Sequence, residues 1–237
     1  MPPPPLSQNK NLHLPPIYPI PAVYPILDTT TLAQRQISPT LAAEALLEAG
    51  AQILQLRHKA PWTRETYTLA LHLATQCAQT KTLFVINDRA DYTALLQTEQ
   101  IGKNEPIALH LGQEDLTPTD ARKVVGPTTI IGLSTHSAAQ MIEAQNEPAD
   151  YVAFGPIFTT ASKQRPDPTT GPDLLRHIRT LTTRPLVAIG VITRDNAMNC
   201  WNAGADSVAV IADMFPLSCT KQAIRDRMTE WLKLTPR

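Results

Sequence analysis

The 237-residue chain sets 21 Lys and Arg against 21 Asp and Glu, with 43% hydrophobic and 5% aromatic residues, so a polyanion such as nucleic acid is not an expected partner. That length suits one larger globular domain, because α/β barrels fill about 200 to 250 residues alone. Cys77, Cys200 and Cys219 are too scattered for a disulfide framework or a CxxC metal site, no apolar run nears a membrane span, and MPPPPLSQNK lacks the basic and apolar regions of a signal peptide, so a soluble cytoplasmic protein with reduced thiols is expected.

Nine of the 22 prolines fall in residues 1 to 25. Proline fixes φ and removes an amide donor, so residues 1 to 22 read as an extended or disordered Pro-rich tail and residues 23 to 237 as the folded domain. The first apolar run is Val23 to Leu27, and Ser38-Pro39 then places a cap before a proline at the first position of a helix. A second run, Ile53 to Leu56, leads into Arg57-His58-Lys59. After Thr63, Tyr67, Ala70, Leu71, Ala74, Cys77 and Ala78 recur at helical steps. The third run, Leu83 to Ile86, ends in Asn87-Asp88-Arg89. Thr98 to Glu105 reads as a polar loop, and the fourth run, Ile107 to Leu111, leads into Gly112-Gln113-Glu114-Asp115. Thr117-Pro118 caps the next helix. The fifth run, Thr129 to Gly132, gives way to Leu133-Ser134-Thr135-His136, and Ser137 with Gln140 has capping-box spacing. Tyr151 to Phe154 is the sixth run, with Gly155 to Lys163 behind it; Leu186 to Ile189 is the seventh, followed by Gly190; Ser207 to Ile211 is the eighth. Leu217, Ile224, Met228, Trp231 and Leu232 mark a final helix.

These runs lack the polar alternation of a half-exposed sheet, which suits strands buried on both faces of a parallel sheet with helical crossovers. Glu48-Ala49-Gly50-Ala51-Gln52 and Asn202-Ala203-Gly204-Ala205-Asp206 are near-copies, each with glycine where a helix ends and a strand follows. Eight such units predict an α/β fold, a single (β/α)8 TIM barrel, with a doubly wound open sheet as the alternative because sequence does not show closure.

In such a barrel the chemistry occupies the loops at the carboxyl ends of the strands. Gln55, Arg57 and Lys59 alternate, so their side chains share one side of an extended segment, and two cations there suit an anion. Asp88 and Asp115, with Asn87 beside them, offer hard oxygen ligands that suit Mg²⁺. Thr160, Ser162 and Lys163 add two hydroxyls and a cation. Together these groups predict a diphosphate and metal pair. Gly112, Gly132, Gly155 and Gly190 all read as strand-end glycines that let a ligand approach the backbone.

The same segments carry a family resemblance. Gln55-Leu56-Arg57-His58-Lys59 resembles the Q-L-R-x-K of thiamine phosphate synthases, Ile86-Asn87-Asp88-Arg89 their I-N-D-R, and His110 to Asp115 their H-L-G-Q-E-D. Ser134-Thr135-His136, Gly155-Pro156-Ile157-Phe158 and Thr160-Ala161-Ser162-Lys163 resemble S-T-H, G-P-I-F and T-x-T-K, in order from about Tyr24 to Phe215. The resemblance implies a transferase that joins hydroxymethylpyrimidine diphosphate to thiazole phosphate, giving thiamine phosphate and diphosphate. It implies that Arg57, Lys59 and Lys163 hold the diphosphate, Asp88 and Asp115 the Mg²⁺, and Asn87, Thr160 and Ser162 further phosphate oxygens. Gln55 and Ser134 are implied to orient the pyrimidine, and the backbone around Gly155 and Gly190 to line the thiazole side.

Two positions depart from that pattern. Val191 stands where a second glycine is usual and Ala212 where a serine is usual, and Asp213 is expected to repel phosphate if it points inward. Duller readings stand beside each assignment: Arg57 and Lys59 as surface charges pairing with Glu65 or Asp88, Asp88 as a helix cap, and His110 as an inward-packed histidine. His136 is read as a hydrogen-bonding or packing residue, and Trp62, Trp201 and Trp231 as helix-to-barrel packing. A thiazole tautomerase, in which a histidine in the His136 loop acts as acid or base, and a non-catalytic binder of a phosphorylated ligand are the competing functions. No membrane partner is expected, and open barrel faces are compatible with a homo-oligomer.

Overall fold

The computed structural model describes residues 19–99, 101, 106–158 and 171–236. The proline tail through residue 18, Thr160, Ser162, Lys163 and most of the expected 98–105 loop lie outside them. Eight strands, β1 (Val23–Asp28), β2 (Ile53–Arg57), β3 (Leu83–Asn87), β4 (Ile107–Leu111), β5 (Ile131–Thr135), β6 (Tyr151–Phe154), β7 (Leu186–Ala188) and β8 (Ser207–Val210), pair in chain order. All pairs are parallel, and β1 meets β8 with Val23 opposite Val208. The sheet is therefore a closed barrel rather than an open doubly wound sheet, and closure leaves no strand edge unpaired.

The helices are α1 (Thr29–Gln34), α2 (Pro39–Glu48), α3 (Arg64–Gln79), α4 (Ala90–Thr98), α5 (Pro118–Val125), α6 (Ala138–Ala144), α7 (Pro172–Arg179), α8 (Ala197–Asn202) and α9 (Lys221–Leu234). Ser38, Thr117 and Ser137 each accept from a backbone amide three residues on, so the expected caps form. The Gln140 side chain reaches one residue further back than a standard box and takes the His136 amide, 2.7 Å. Gly50 and Gly204, the repeated glycines, share a left-handed backbone at φ 95° and 97°.

Two predicted boundaries move. β5 starts and ends later than the run Thr129 to Gly132, because Ser134 and Thr135 find hydrogen-bond partners as strand residues, His110 for one and the Ala153 carbonyl for the other. Leu217 is 83% exposed and precedes α9, whose cap is Thr220.

Side-chain alternation organises both cores. One inward set, Tyr24, Ile26, Ile53, Val85, Ala108, Tyr151, Ala153, Val187 and Ala209, fills the barrel, and Ile20 at 4% exposure joins it. Tyr24 and Tyr151 are large, and the alanines around them are small, so the interior closes without a channel. The outward set, including Leu27, Leu54, Leu56, Ile86 and Leu109, packs against the helices with buried Trp201 and Trp231. Following the same period of two along β1 to β5, the last inward positions are Asp28, Arg57, Asn87, His110 and Ser134. Apolar residues thus fill the barrel, and polar ones end it at the carboxyl edge. Among the described residues no helix is long and apolar enough to cross a membrane. The three cysteines are unpaired, two buried and one half-buried.

Candidate active site

A cavity of about 320 Å³ opens at that edge. Gln55, Arg57 and Lys59 line it from β2 and the loop after it, Asn87 and Asp88 from the end of β3, Ser134 from β5, and Gly190 from the loop after β7. Seven of the eleven site residues expected from sequence thus share one space, and these lie as much as 135 residues apart in the chain, from Gln55 to Gly190; Asp115 does not line it but borders an adjoining cavity that shares Gly112 with it. Thr160, Ser162 and Lys163 fall outside the described residues.

The cations are already paired. Arg57 donates to Asp28 at 2.5 Å, and Lys59 to Asp88 at 2.5 Å. Asp28 is not among the residues that the sequence motifs single out; an acid directly behind the first apolar run is the signal that marks it. It caps α1 through the Thr31 amide and hydroxyl, both at 2.8 Å. Burial raises its pKa, but the Thr31 bonds and the Arg57 guanidinium outweigh burial and leave it below the ordinary carboxylate value. Arg57 is thereby held in place with donors left over, since a guanidinium carries five N–H groups.

Asp88 does not cap α4, whose Arg89 cap has no side-chain bond. It stands in a left-handed backbone at φ 67° and turns its carboxylate to the cavity. Asp115 accepts from the Gly112 amide at 2.7 Å, and its carboxyl lies in hydrogen-bond contact with that of Asp88. Burial raises the Asp115 pKa; the Gly112 amide opposes this and the Asp88 carboxyl adds to it. Two carboxyls crowded together against one ammonium are a donor set suited to a hard divalent cation. Among the described residues no group of three or more His, Cys, Asp or Glu gathers, so such an ion would complete its shell with water and phosphate, as Mg²⁺ does. Beside them Asn87 Nδ2 is buried and has no hydrogen-bond partner among the described residues. A buried orphan donor at a cavity wall is costly unless a ligand oxygen meets it.

The cavity floor is a hydrogen-bonded chain. Gln55 Nε2 donates to Tyr24 Oη at 2.9 Å, Tyr24 Oη lies 3.0 Å from Tyr151 Oη, Tyr151 Oη lies 3.0 Å from His110 Nδ1, and His110 Nε2 lies 2.8 Å from Ser134 Oγ. The His110 ring also stacks on Tyr151, with centroids 5.5 Å apart. Burial drives the His110 pKa down to about 4, with the Asp88 charge opposing and the Lys59 charge reinforcing it. An unfolded histidine takes its proton near its ordinary value of about 6.5. Between that pH and about 4 the unfolded state binds the extra proton. Stability in metal-free buffer is therefore expected to fall with acidification across that window, by up to about 3 kcal/mol. Denaturant midpoints at about pH 7 and about pH 5 check this; His110→Asn should flatten the slope, and an equal slope in the variant would remove the assignment.

The family model described as thiamine monophosphate synthase matches residues 23–214. The chain belongs to the thiamine monophosphate synthase family. A thiamine-phosphate synthase of Koribacter versatilis is 42% identical over 197 residues, 82% of this chain and 89% of that one. Another, of Chlorobium limicola, is 37% identical over 175 residues, 74% and 80% of the two chains. Among solved structures, thiamine phosphate pyrophosphorylase from Pyrococcus furiosus superposes with a TM-score of 0.73 at 29% identity, covering 90% of this chain and 94% of that one.

Where this thiamine monophosphate synthase family member departs from the family's motif, the far rim shows how. Asp213 does not face the cavity: its carboxylate meets Arg194 Nε and Trp231 Nε1, both at 3.1 Å. The expected repulsion of phosphate therefore does not arise, because the acid is committed to an arginine and an indole beneath the rim. Val191 takes φ 50°, costly for a branched residue, and is 46% exposed rather than lining the cavity. Gly132 and Gly190 both make room for the chain itself, and Gly190 also lines the cavity. A Cβ on Gly132 would meet the Tyr151 ring at 2.1 Å, and one on Gly190 would meet Pro156 Cα at 2.5 Å. His136 Nδ1 donates to the Gly155 carbonyl at 2.7 Å, a hydrogen-bonding role. Trp62 packs against the outer core as expected and also stacks on Tyr92, centroids 4.4 Å apart, with Arg89 over the Tyr92 ring.

Proposed function

We propose that this chain is a thiamine phosphate synthase, a transferase joining hydroxymethylpyrimidine diphosphate to thiazole phosphate with release of diphosphate. The carrying observation is the convergence of Arg57, Lys59, Asn87 and Asp88 on one cavity of a barrel of that family. Breaking the carbon–oxygen bond puts negative charge on the diphosphate and leaves a pyrimidine-stabilised cation at the methylene carbon. The thiazole nitrogen then supplies the electron pair of the new carbon–nitrogen bond, so no protein nucleophile is needed.

The chain's own groups fit that division of labour. Arg57, oriented by Asp28, and Lys59 hold diphosphate oxygens, and the orphan Asn87 amide donates to another. Fixed donors at the leaving group cost no reorganisation as charge grows, which is the largest single term in such catalysis. Asp88 and Asp115 are the residues suited to hold Mg²⁺, which when bound supplies divalent positive charge beside the diphosphate. Lys163, Thr160 and Ser162 complete the phosphate set by family analogy. Gln55 and Ser134 orient the pyrimidine, Gly190 with the backbone near Gly155 borders the thiazole, and the apolar wall of Ile189 and Val187 keeps water from the cation.

Incubation with both substrates and Mg²⁺ tests the reading: thiamine phosphate should form. Thiazole isomerisation without thiamine phosphate would favour the tautomerase, and neither activity the non-catalytic binder.

A further inference from the structure

The chain of hydrogen bonds beneath the cavity has a sense, and that sense decides what its two ends can offer. Gln55 gives one amide hydrogen to Tyr24 Oη. Tyr24, already an acceptor there, has its own hydroxyl hydrogen left for Tyr151, 3.0 Å away. Tyr151 in turn has its hydrogen left for His110 Nδ1 at 3.0 Å. A neutral imidazole that accepts at Nδ1 carries its hydrogen on Nε2, which is 2.8 Å from Ser134 Oγ. Ser134, accepting from His110, is left with its own hydrogen free for the cavity. At the other end the Gln55 carbonyl oxygen is left free as an acceptor.

From this geometry we infer that Tyr24, Tyr151 and His110 are positioning residues that lock Gln55 as an acceptor and Ser134 as a donor, so that the cavity selects a ligand edge with an amino group beside a ring nitrogen. The inference rests on the functional reading above and deepens it: the edge is that of an aminopyrimidine. An oxo analogue, with a carbonyl beside a ring N–H, would set acceptor against acceptor and donor against donor. None of the three can reset singly, because Tyr24 is 1% and Tyr151 0% exposed and each hydroxyl is shared by two partners. Burial also keeps both phenols protonated, the state the chain requires.

Tyr24→Phe and Tyr151→Phe cut the chain while keeping the rings. The readout is the ratio of kcat/KM for the aminopyrimidine diphosphate to that for its oxo analogue. The parent should favour the amino form by at least about a hundredfold, and each variant should lose about tenfold of that ratio, since a freed amide can turn over. KM for thiazole phosphate should stay unchanged. A ratio unaltered in both variants overturns the inference. Nitrogen NMR of the ligand-free parent reads the same chain without any turnover: His110 should carry its hydrogen on Nε2 and accept at Nδ1, and a hydrogen on Nδ1 overturns the inference. Loss of thiamine phosphate formation in the parent would instead sink the functional reading, whatever the NMR shows.

Discussion

Asp88→Asn is expected to lower kcat by about a hundred- to a thousandfold while moving the melting temperature by no more than about 2 °C. The asparagine is the informative choice because Asp88 sits at φ 67°, a left-handed backbone that asparagine adopts readily and alanine does not. Folding is therefore spared, and the charge alone is lost. That charge matters on two counts. It faces Asp115 across a carboxyl contact, and with one member neutral the pair no longer presents two negative ligands. It also holds Lys59 at 2.5 Å, so the ammonium loses its anchor at the cavity wall. Steady-state kinetics with both substrates saturating, beside a thermal melt, separates the two effects. An unchanged kcat would remove the metal role assigned to this residue.

Gly132→Ala carries the largest expected loss of stability. Gly132 pairs with Tyr151 across β5 and β6, and the added methyl would stand 2.1 Å from Cζ and 2.5 Å from Oη of that ring. The ring cannot retreat: His110 stacks on it and Tyr24 meets it edge-on with centroids 6.2 Å apart. Overpacking of this kind costs about 3 kcal/mol or more, or a fall of roughly 6 to 12 °C in melting temperature at this chain length. Tyr151→Leu removes the obstructing ring, so the double variant should lose clearly less than the sum of the two singles. Strict additivity would show that the clash is not the cause.

Much of the barrel was written in local pattern. Ser38, Thr117 and Ser137 cap the helices they were expected to cap, because a cap needs only a short polar side chain and the next turn's amides. Gln55, Arg57 and Asn87 were legible as rim residues because a strand's period of two carries straight to its end. What depended on distant partners was not. Ser134 looked like loop until a neighbouring strand gave it His110, and Gly132 looked like a ligand seat until Tyr151 occupied the space beside it. Tyr24 and Tyr151 read as packing within apolar runs; only closure of the barrel brings their hydroxyls together across 127 residues. Asp213 could be placed at the rim by sequence, but its direction is set by Arg194 and Trp231, which no local rule pairs with it.

Calorimetric titration of inorganic diphosphate into the full chain tests the central claim most directly, because it isolates the leaving group that the rim is built to hold. Binding should require Mg²⁺, weakening by about tenfold or more when the ion is chelated or when Asp88 is replaced by asparagine. Equal affinity with and without the ion, in parent and variant alike, would contradict the account.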